Sequence, residues 1–501
     1  MVRHGMEAVE LVEHDDDADV AEPVDHVDRA RGAVLERVRS GLDRIRRHPV
    51  LSAATVAVVV AAVVVPTVLS ARADRLQNEA LAALPGVAAP MGSAPDIAWT
   101  MPPSPGDYAL LSLDRAWVRD DVLVLWQQPG DATSWLRGVD ARTGDERWTA
   151  PLSSTPDLGD LGNRGLDDVT WCAAPTGASV LACLVTDSWE LVESDDAGVP
   201  DMVTSASVRL RVLDVTTGET VLDRPAASTA SFATIGTDIV LVETPEDGPA
   251  SLVRLDPSTG ATRWSADIPR PVDGAGSAHA RVQVADDEIS VGWLGTTALF
   301  TADGDAAGTL DADDVWHLRG HRVTPQGGAG AITQLRDLDT GRVLDLGGAR
   351  PAWIATDDLS APDLLLLQSD DHLTGRELAT AQRVWRVDWP AESTLGLLIV
   401  DGMVARLADD GLTVIDAESG EQLWHRSVPA YGQVAVTDGR RLMVMESVSG
   451  TGPVVAAYDI QDGRLLWQVP VPVAVQSLAV VDNRLFGVGS GGVVAFGPET
   501  S

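Results

Sequence analysis

Two hydrophobic patterns divide the chain. Residues 50–71 (VLSAATVAVVVAAVVVPTVLSA) form one uncharged apolar run, which as a helix would reach ~33 Å, about one hydrocarbon thickness. From about residue 97 the apolar positions fall instead into short β-branched or Leu-rich runs separated by polar turns, the pattern of successive strands. The pattern predicts one transmembrane helix followed by a large all-β domain.

The charges around the apolar run give it a direction. Arg37, Arg39, Arg44, Arg46 and Arg47 precede it, while Arg72 and Arg75 follow, offset by Asp74. The positive-inside bias then places the N-terminus in the cytoplasm and the C-terminal bulk outside a cell membrane. Pro66 lies in the last third of the run, where a span tolerates a kink. The competing reading is a cleaved signal peptide, because Ala71-Arg72-Ala73 has small residues at the right spacing. A leader of nearly fifty residues and the length of the apolar run favour an uncleaved, single-pass anchor.

Residues 1–47 contain no domain pattern. The first 28 are acidic and include Asp15-Asp16-Asp17, a composition that favours disorder. Residues 29–47 place Val34, Leu35, Val38, Leu42 and Ile45 near one face of an Arg-rich helix, suited either to the inner leaflet or to a simple continuation of the span. Residues 72–96 read as a juxtamembrane helix and a linker, with 85–95 (PGVAAPMGSAP) expected to be flexible.

Within residues 97–500 one pattern recurs: a strand, then Asp-x-x-Thr/Ser-Gly-x-x-x-Trp, then a short strand. Clear copies begin at Asp140 (DARTGDERW), Asp256 (DPSTGATRW), Asp416 (DAESGEQLW) and Asp459 (DIQDGRLLW). The copy at Asp214 replaces Trp by Leu222, that at Asp337 has no Trp, and that at Glu377 keeps Trp385 but carries Ala381 in the Gly position. Such a spacing is a hairpin signature, since Asp caps the turn and Gly reverses the chain at positive φ. The opening acids lie 74, 42, 81, 40, 39 and 43 residues apart, and a period of about 40 points to four-stranded propeller blades. The interval of 81 holds a degenerate unit at 296–310, with Asp303-Gly304 as its turn, and the interval of 74 holds about 34 extra residues.

These motifs resemble the tryptophan-docking repeats of the pyrroloquinoline-quinone (PQQ) propeller superfamily across roughly residues 97–500. The resemblance implies that Gly144, Gly260, Gly420 and Gly463 make the tight turns. It implies further that Trp148, Trp264, Trp385, Trp424 and Trp467 pack between neighbouring blades. The segment IAWTMP at 97–102 resembles an orphan fourth strand, and 477–496 lacks one, so the N-terminal strand is expected to complete the last blade and close the ring, leaving no open edge. A literal count gives nine units, but the family norm is eight. An eight-bladed propeller is therefore expected, either with one weak unit (296–310 or the copy at Asp337) not a full blade or with the N-terminal strand closing the ring differently.

Cys172 and Cys183 flank Pro175-Thr176-Gly177-Ala178, a hairpin turn. With 176–179 as the turn the two cysteines face each other, close enough to be bridged in an oxidising compartment. A disulfide is expected, the alternative being two free buried thiols; CxxC metal or redox spacing is absent.

Composition narrows the partners. The net charge is −37, and no Lys is present. So acidic a surface repels phosphate backbones, which argues against nucleic acid. The Arg-only, Ala/Val-rich usage resembles that of high-GC actinobacterial proteins. No adjacent Cys pair, Walker loop or nucleophile elbow stands in a suitable context. His317 and His321 are four apart in a stretch that reads as strand and turn, so they need not share a face, and the acids Asp303, Asp305, Asp311, Asp313 and Asp314 lack an EF-hand's spacing and closing Glu. No catalytic, metal or cofactor residue is assigned. The expected function is a membrane-tethered extracytoplasmic scaffold that binds a protein or cell-envelope partner, similar in kind to the barrel-assembly lipoprotein of the same superfamily. The alternatives are a quinoprotein dehydrogenase or an extracytoplasmic sensor signalling through the span. The extra residues 153–168 and 193–202 are candidate contact loops.

Overall fold

A computed structural model describes the chain from residue 84 to 497, with Leu81, apart from 85, 103–116, 128–132, 155–164, 168–170, 193–201, 228–229, 244–249, 269–279, 286, 294–295, 312–314, 319–320, 327–333, 390–395, 430–434, 449–451, 472–474 and 490–491. The expected membrane span and cytoplasmic segment lie outside the described residues. Among those described, no helix is long and apolar enough to cross a membrane.

Among the described residues nine sheets follow one another, antiparallel apart from one added strand each in the second and seventh. Sheet one holds Trp117–Arg119, Val122–Gln127, Thr133–Asp140 and Glu146–Ser154. Sheet two holds Trp171–Ala173, Val180–Val192, Met202–Asp214 and Thr220–Ala226, with Gly165–Asp167 added in parallel. Sheets three to five run from Ser231 to Ile268, Arg281 to Leu310 and Trp316 to Asp345. Sheet six begins at Arg350–Pro351 and resumes at Leu364–Gln368, Leu373–Glu377 and Arg383–Val387. Sheet seven spans Leu397 to Arg426 and sheet eight Val436 to Pro470. Sheet nine joins Ser477–Val481, Arg484–Gly489 and Gly492–Gly497 to Asp96–Met101.

The blade count corrects the expectation of eight. Both weak units are complete: Thr296–Thr301 and Ala306–Leu310 pair within sheet four, and Gln334–Asp337 and Val343–Asp345 within sheet five. Strand alternation and turn residues suffice to build a blade; tryptophan joins blades rather than making them. Ring closure takes the N-terminal strand, whose Thr100 and Met101 pair with Val494 and Val493.

First strands of neighbouring sheets touch, as Ser231–Ile235 does Arg281–Ala285, whereas the fourth strands alternate towards solvent. The first strands therefore line the axis and the fourth strands form the rim. The core lies between sheets. Among the described residues, apolar clusters bridge eight of the nine seams, from Leu123, Val139 and Phe486 at closure to Val444 and Leu412 between sheets seven and eight. None bridges sheets four and five; there Arg322 Nη1 donates to Glu288 Oε2 at 2.7 Å.

Part of the stretch expected to be flexible is tied down at residues 87–91. Val87 bridges Thr437, the Ala88 N–H donates to the Thr437 carbonyl at 2.8 Å, and that of Ala89 to the Asn483 carbonyl at 2.7 Å. Burial of Val87 and Ala88 to 0% exposure outweighs the freedom that flanking Pro and Gly residues would otherwise give.

At most seams an indole spans the gap. Trp424 Nε1 donates to the Ile460 carbonyl of the next sheet at 2.8 Å. Trp467 faces sheet nine, whose third and fourth strands come from opposite ends of the chain and share no turn, so its buried Nε1 has no acceptor. Replacing Trp424 by Phe is expected to destabilise the fold by about 1–2 kcal/mol more than the same change at Trp467, because only the first loses a hydrogen bond and orphans a carbonyl. Urea unfolding midpoints of the two variants measure the difference.

Candidate functional site

The repeat residues form joints. The Asp140 carboxylate accepts from the Arg142 and Thr143 amides, and the Gly144 N–H donates to the Asp140 carbonyl at 2.8 Å. The same turn recurs at Asp214, Asp256, Asp337, Asp416 and Asp459, with Gly218, Gly260, Gly341, Gly420 and Gly463 at φ between 67° and 73°. An indole from the preceding sheet lies against most of these glycines. A Cβ would come within 2.7 Å of Trp99 at Gly144, 2.5 Å of Trp148 at Gly218, 2.7 Å of Trp264 at Gly304, 2.6 Å of Trp385 at Gly420 and 2.7 Å of Trp424 at Gly463. Gly260 receives Leu222 instead. Each indole N–H then donates to a carbonyl beside the turn: Trp99 to Ala141, Trp148 to Val215, Trp264 to Ala302 and Trp385 to Ala417. Ala381 takes the same left-handed turn at φ 55° in the one copy whose preceding sheet has Asp345 at the tryptophan position.

Two further glycines were not legible as part of this joint. Gly138 and Gly375 sit opposite Trp148 and Trp385 on the adjoining strand, where a Cβ would lie 2.2 Å from the ring. The signal was the Gly ten residues before Trp in both copies.

Electrostatics follow the turns. The Arg147 hydrogen bond and the Arg142 amide hold the Asp140 carboxyl at about 2. Asp214, Asp256 and Asp416 are lowered likewise, chiefly by the hydroxyls of Thr216, Ser258 and Ser419. Other polar groups are similarly committed. Buried Arg406 stacks 5.1 Å from the Trp389 ring centroid and pairs with Asp410 at 3.6 Å, while burial pushes its guanidinium down. The Tyr458 hydroxyl donates to Glu446, which also accepts from Gln468 Nε2 at 3.2 Å. Burial, with that hydrogen bond, pushes the phenol up.

Cys172 and Cys183 are opposed in register and joined, with Cα atoms 4.1 Å apart. Both are buried between sheets one and two beside Trp148 and Leu152. His317 pairs with Arg322 and Leu318 with His321 across one hairpin, so the two histidines point to opposite faces; His321 Nδ1 meets Asp337 at 3.1 Å. Among the described residues no group of three or more His, Cys, Asp or Glu is placed to hold a metal. Asp313 and Asp314 lie outside them.

Two excursions depart from the repeat. In sheet two the central hairpin runs from Val180↔Asp214 to Val192↔Met202, twelve paired positions against five in sheet three. The seven-position excess projects an arm about 20 Å beyond the sheet, at roughly 3.3 Å per residue. Register shifts around Ser188 bend it. Gly165–Asp167, within the stretch expected as a loop, pairs in parallel with Met202–Thr204 and braces the arm; residues 193–201 lie outside the description. The β-branched alternation of 180–192 and 202–214 was the sequence signal for the arm. In sheet seven, Ile354–Asp357 adds a parallel strand inside Leu397–Val400, next to the axis. Its neighbours Trp353 and Leu359 are 61% and 56% exposed, and Thr356 Oγ1 lies 3.5 Å from the Gly86 carbonyl. A shallow depression of about 340 Å³ on the rim between sheets three and four is lined by Asp267, Leu299, Phe300 and Gly308 among others.

Residues 369–501, about a quarter of the chain, match the family described as outer membrane protein assembly factor BamB, so the repeats there are of the PQQ-like propeller type. No curated protein matches the chain. Among solved structures, BamB from Moraxella catarrhalis is similar at 16% identity, covering 82% of this chain and 99% of its own, with a TM-score of 0.40. A europium-containing methanol dehydrogenase is similar at 10% identity, covering 79% and 85%, with a TM-score of 0.37. A computationally designed protein, Ika8, is similar at 13% identity, covering 82% and 99%, with a TM-score of 0.35. The fold assignment rests on the strand pairing itself.

Closing an 11-residue separation, the disulfide is expected to contribute about 2–3 kcal/mol. The double variant Cys172→Ala/Cys183→Ala should unfold at correspondingly lower urea, and reductant should increase the intact mass of the wild type only. For Asp140 the folded value of about 2 lies below the ordinary 3.8. Its contribution is therefore complete above about pH 4 and is lost as pH falls towards 2. Thermal unfolding across pH 2–6 is expected to show a shallower acid decline in Asp140→Asn than in wild type.

Proposed function

We propose that the chain is a membrane-tethered extracytoplasmic propeller that binds a protein or cell-envelope partner through the arm of its second sheet, without catalysing a reaction on it. The observation that carries this reading is the excess length of the central hairpin. Blade packing uses five paired positions in sheet three, whereas sheet two builds twelve. Backbone ordered beyond what the core requires costs conformational entropy, and a braced hairpin recovers that cost when it contacts something else.

Three features support the proposal. The disulfide ties the first two strands at the base of the arm, in keeping with an oxidising compartment. Most of the repeat's tryptophans and glycines are occupied in joining blades. The net charge of −37 favours partners that are basic or bridged by cations, and predicts weaker association as salt rises. The family matched by residues 369–501 is likewise named for outer membrane protein assembly.

The test is photocrosslinking in intact cells, with the photoreactive residue at Ser188 or Ser207, followed by mass spectrometry and membrane fractionation. We expect the protein in the membrane fraction and one recurrent crosslinked partner, lost when residues 193–201 are deleted. An unchanged set of crosslinks after the deletion would reject the arm as the contact. A shortened protein recovered wholly from the medium would reject the tether.

A further inference from the structure

We infer that the turn of sheet five is an open tryptophan dock, which takes the indole of an extended segment from a partner polypeptide. The turn itself is built like the occupied ones. Asp337 Oδ1 accepts from the Asp339 and Thr340 amides at 2.9 and 2.7 Å, the Gly341 N–H donates to the Asp337 carbonyl at 2.9 Å, and Gly341 has φ 72°. At Gly144, Gly218, Gly304, Gly420 and Gly463 the same geometry meets an indole. At Gly341 an added Cβ would meet nothing within 4 Å among the described residues. Gly341 is also exposed, whereas those five glycines are half-buried or buried.

The sequence explains why no internal ring arrives. Sheet four has Gly308 where the repeat places Trp, opposite Leu299. In sheet one the sizes are reversed, with Gly138 opposite Trp148. The bulk has moved one strand inward and the rim strand Ala306–Leu310 is bare, exposed at every position but its last. The seam behind it is the one without an apolar cluster among the described residues, and Arg322 with Glu288 spans it instead. An incoming indole would find the glycine face and, by analogy with Ala417 and Ile460 in the occupied docks, the carbonyl of Leu338 as acceptor for its N–H. An aliphatic side chain would fill the space without using that acceptor, which favours tryptophan over leucine.

This inference rests on the partner-binding reading only in taking a polypeptide as the ligand; it does not involve the arm. The probe is a synthetic peptide of residues 420–428 (GEQLWHRSV) with a diazirine leucine at the position of Leu423, added to the full-length chain in detergent. We expect crosslinks to map to residues 335–343, and to fall at least tenfold both for the peptide with Ala at the Trp424 position and for the Gly341→Asn variant. Asn tolerates left-handed φ, so that variant should fold. If it does not, the wild-type map and the alanine peptide still decide. No crosslink, equal labelling by the alanine peptide, or labelling mapped to another sheet overturns the dock. A failed peptide beside intact arm crosslinks rejects the dock alone, and the converse outcome rejects the arm alone.

Discussion

The structure depends on one recurring contact, an indole from the rim of one sheet lying against a glycine turn of the next. Its elements constrain one another. The turn needs positive φ, which glycine adopts freely. The ring needs the space a Cβ would fill, 2.5–2.7 Å from the nearest ring atom in the docked turns. The indole N–H needs an acceptor, and the carbonyl following the opening aspartate provides it at Ala141, Val215, Ala417 and Ile460. One residue type at each of three positions therefore fixes sheet spacing, turn shape and hydrogen bonding together. Where tryptophan is missing the constraint relaxes: Ala381 occupies the left-handed position in sheet six, facing a sheet whose tryptophan position holds Asp345.

Ring closure is the same contact made by the chain's N-terminal strand. Trp99 docks on Gly144 and donates to Ala141 at 3.1 Å, while Arg484 reaches Asp121 across the same seam. The strand that closes the ring lies just after residues packed on the turns of sheets eight and nine through Val87, Ala88 and Met91. The weaker seam lies elsewhere, between sheets four and five, where a charged pair replaces the apolar cluster. That pair is half-buried, and desolvation offsets much of what such a pair contributes, so the ring is uneven around its circumference.

Departures from the repeat carry the functional argument. A blade's packing requirement is met by short strands, and the arm of sheet two exceeds it. The inner strand Ile354–Asp357 crosses from sheet six to pair with sheet seven, and Leu359 beside it adopts φ 60°, a strained conformation for a branched side chain.

The sequence alone determined what local chemistry determines. The Asp-x-x-x-Gly turns, the alternating strands, the cysteine register and the orphan strand at Trp99 each follow from residues near one another in the chain or from a fixed period. It could not decide the blade count. Thr296–Leu310 and the Asp337 copy lack tryptophan, and whether a sheet without its docking ring still forms depends on pairing with the strands before it. Nor could it show which docks are filled, because that depends on a residue some forty positions away in the preceding sheet. Gly341 and Gly463 look alike in sequence; one is open and the other covered because Gly308 and Trp424 stand across their seams. The arm escaped for a related reason: residues 153–168 read as a polar loop, and only the parallel pairing of Leu166 with Val203 makes part of it a strand.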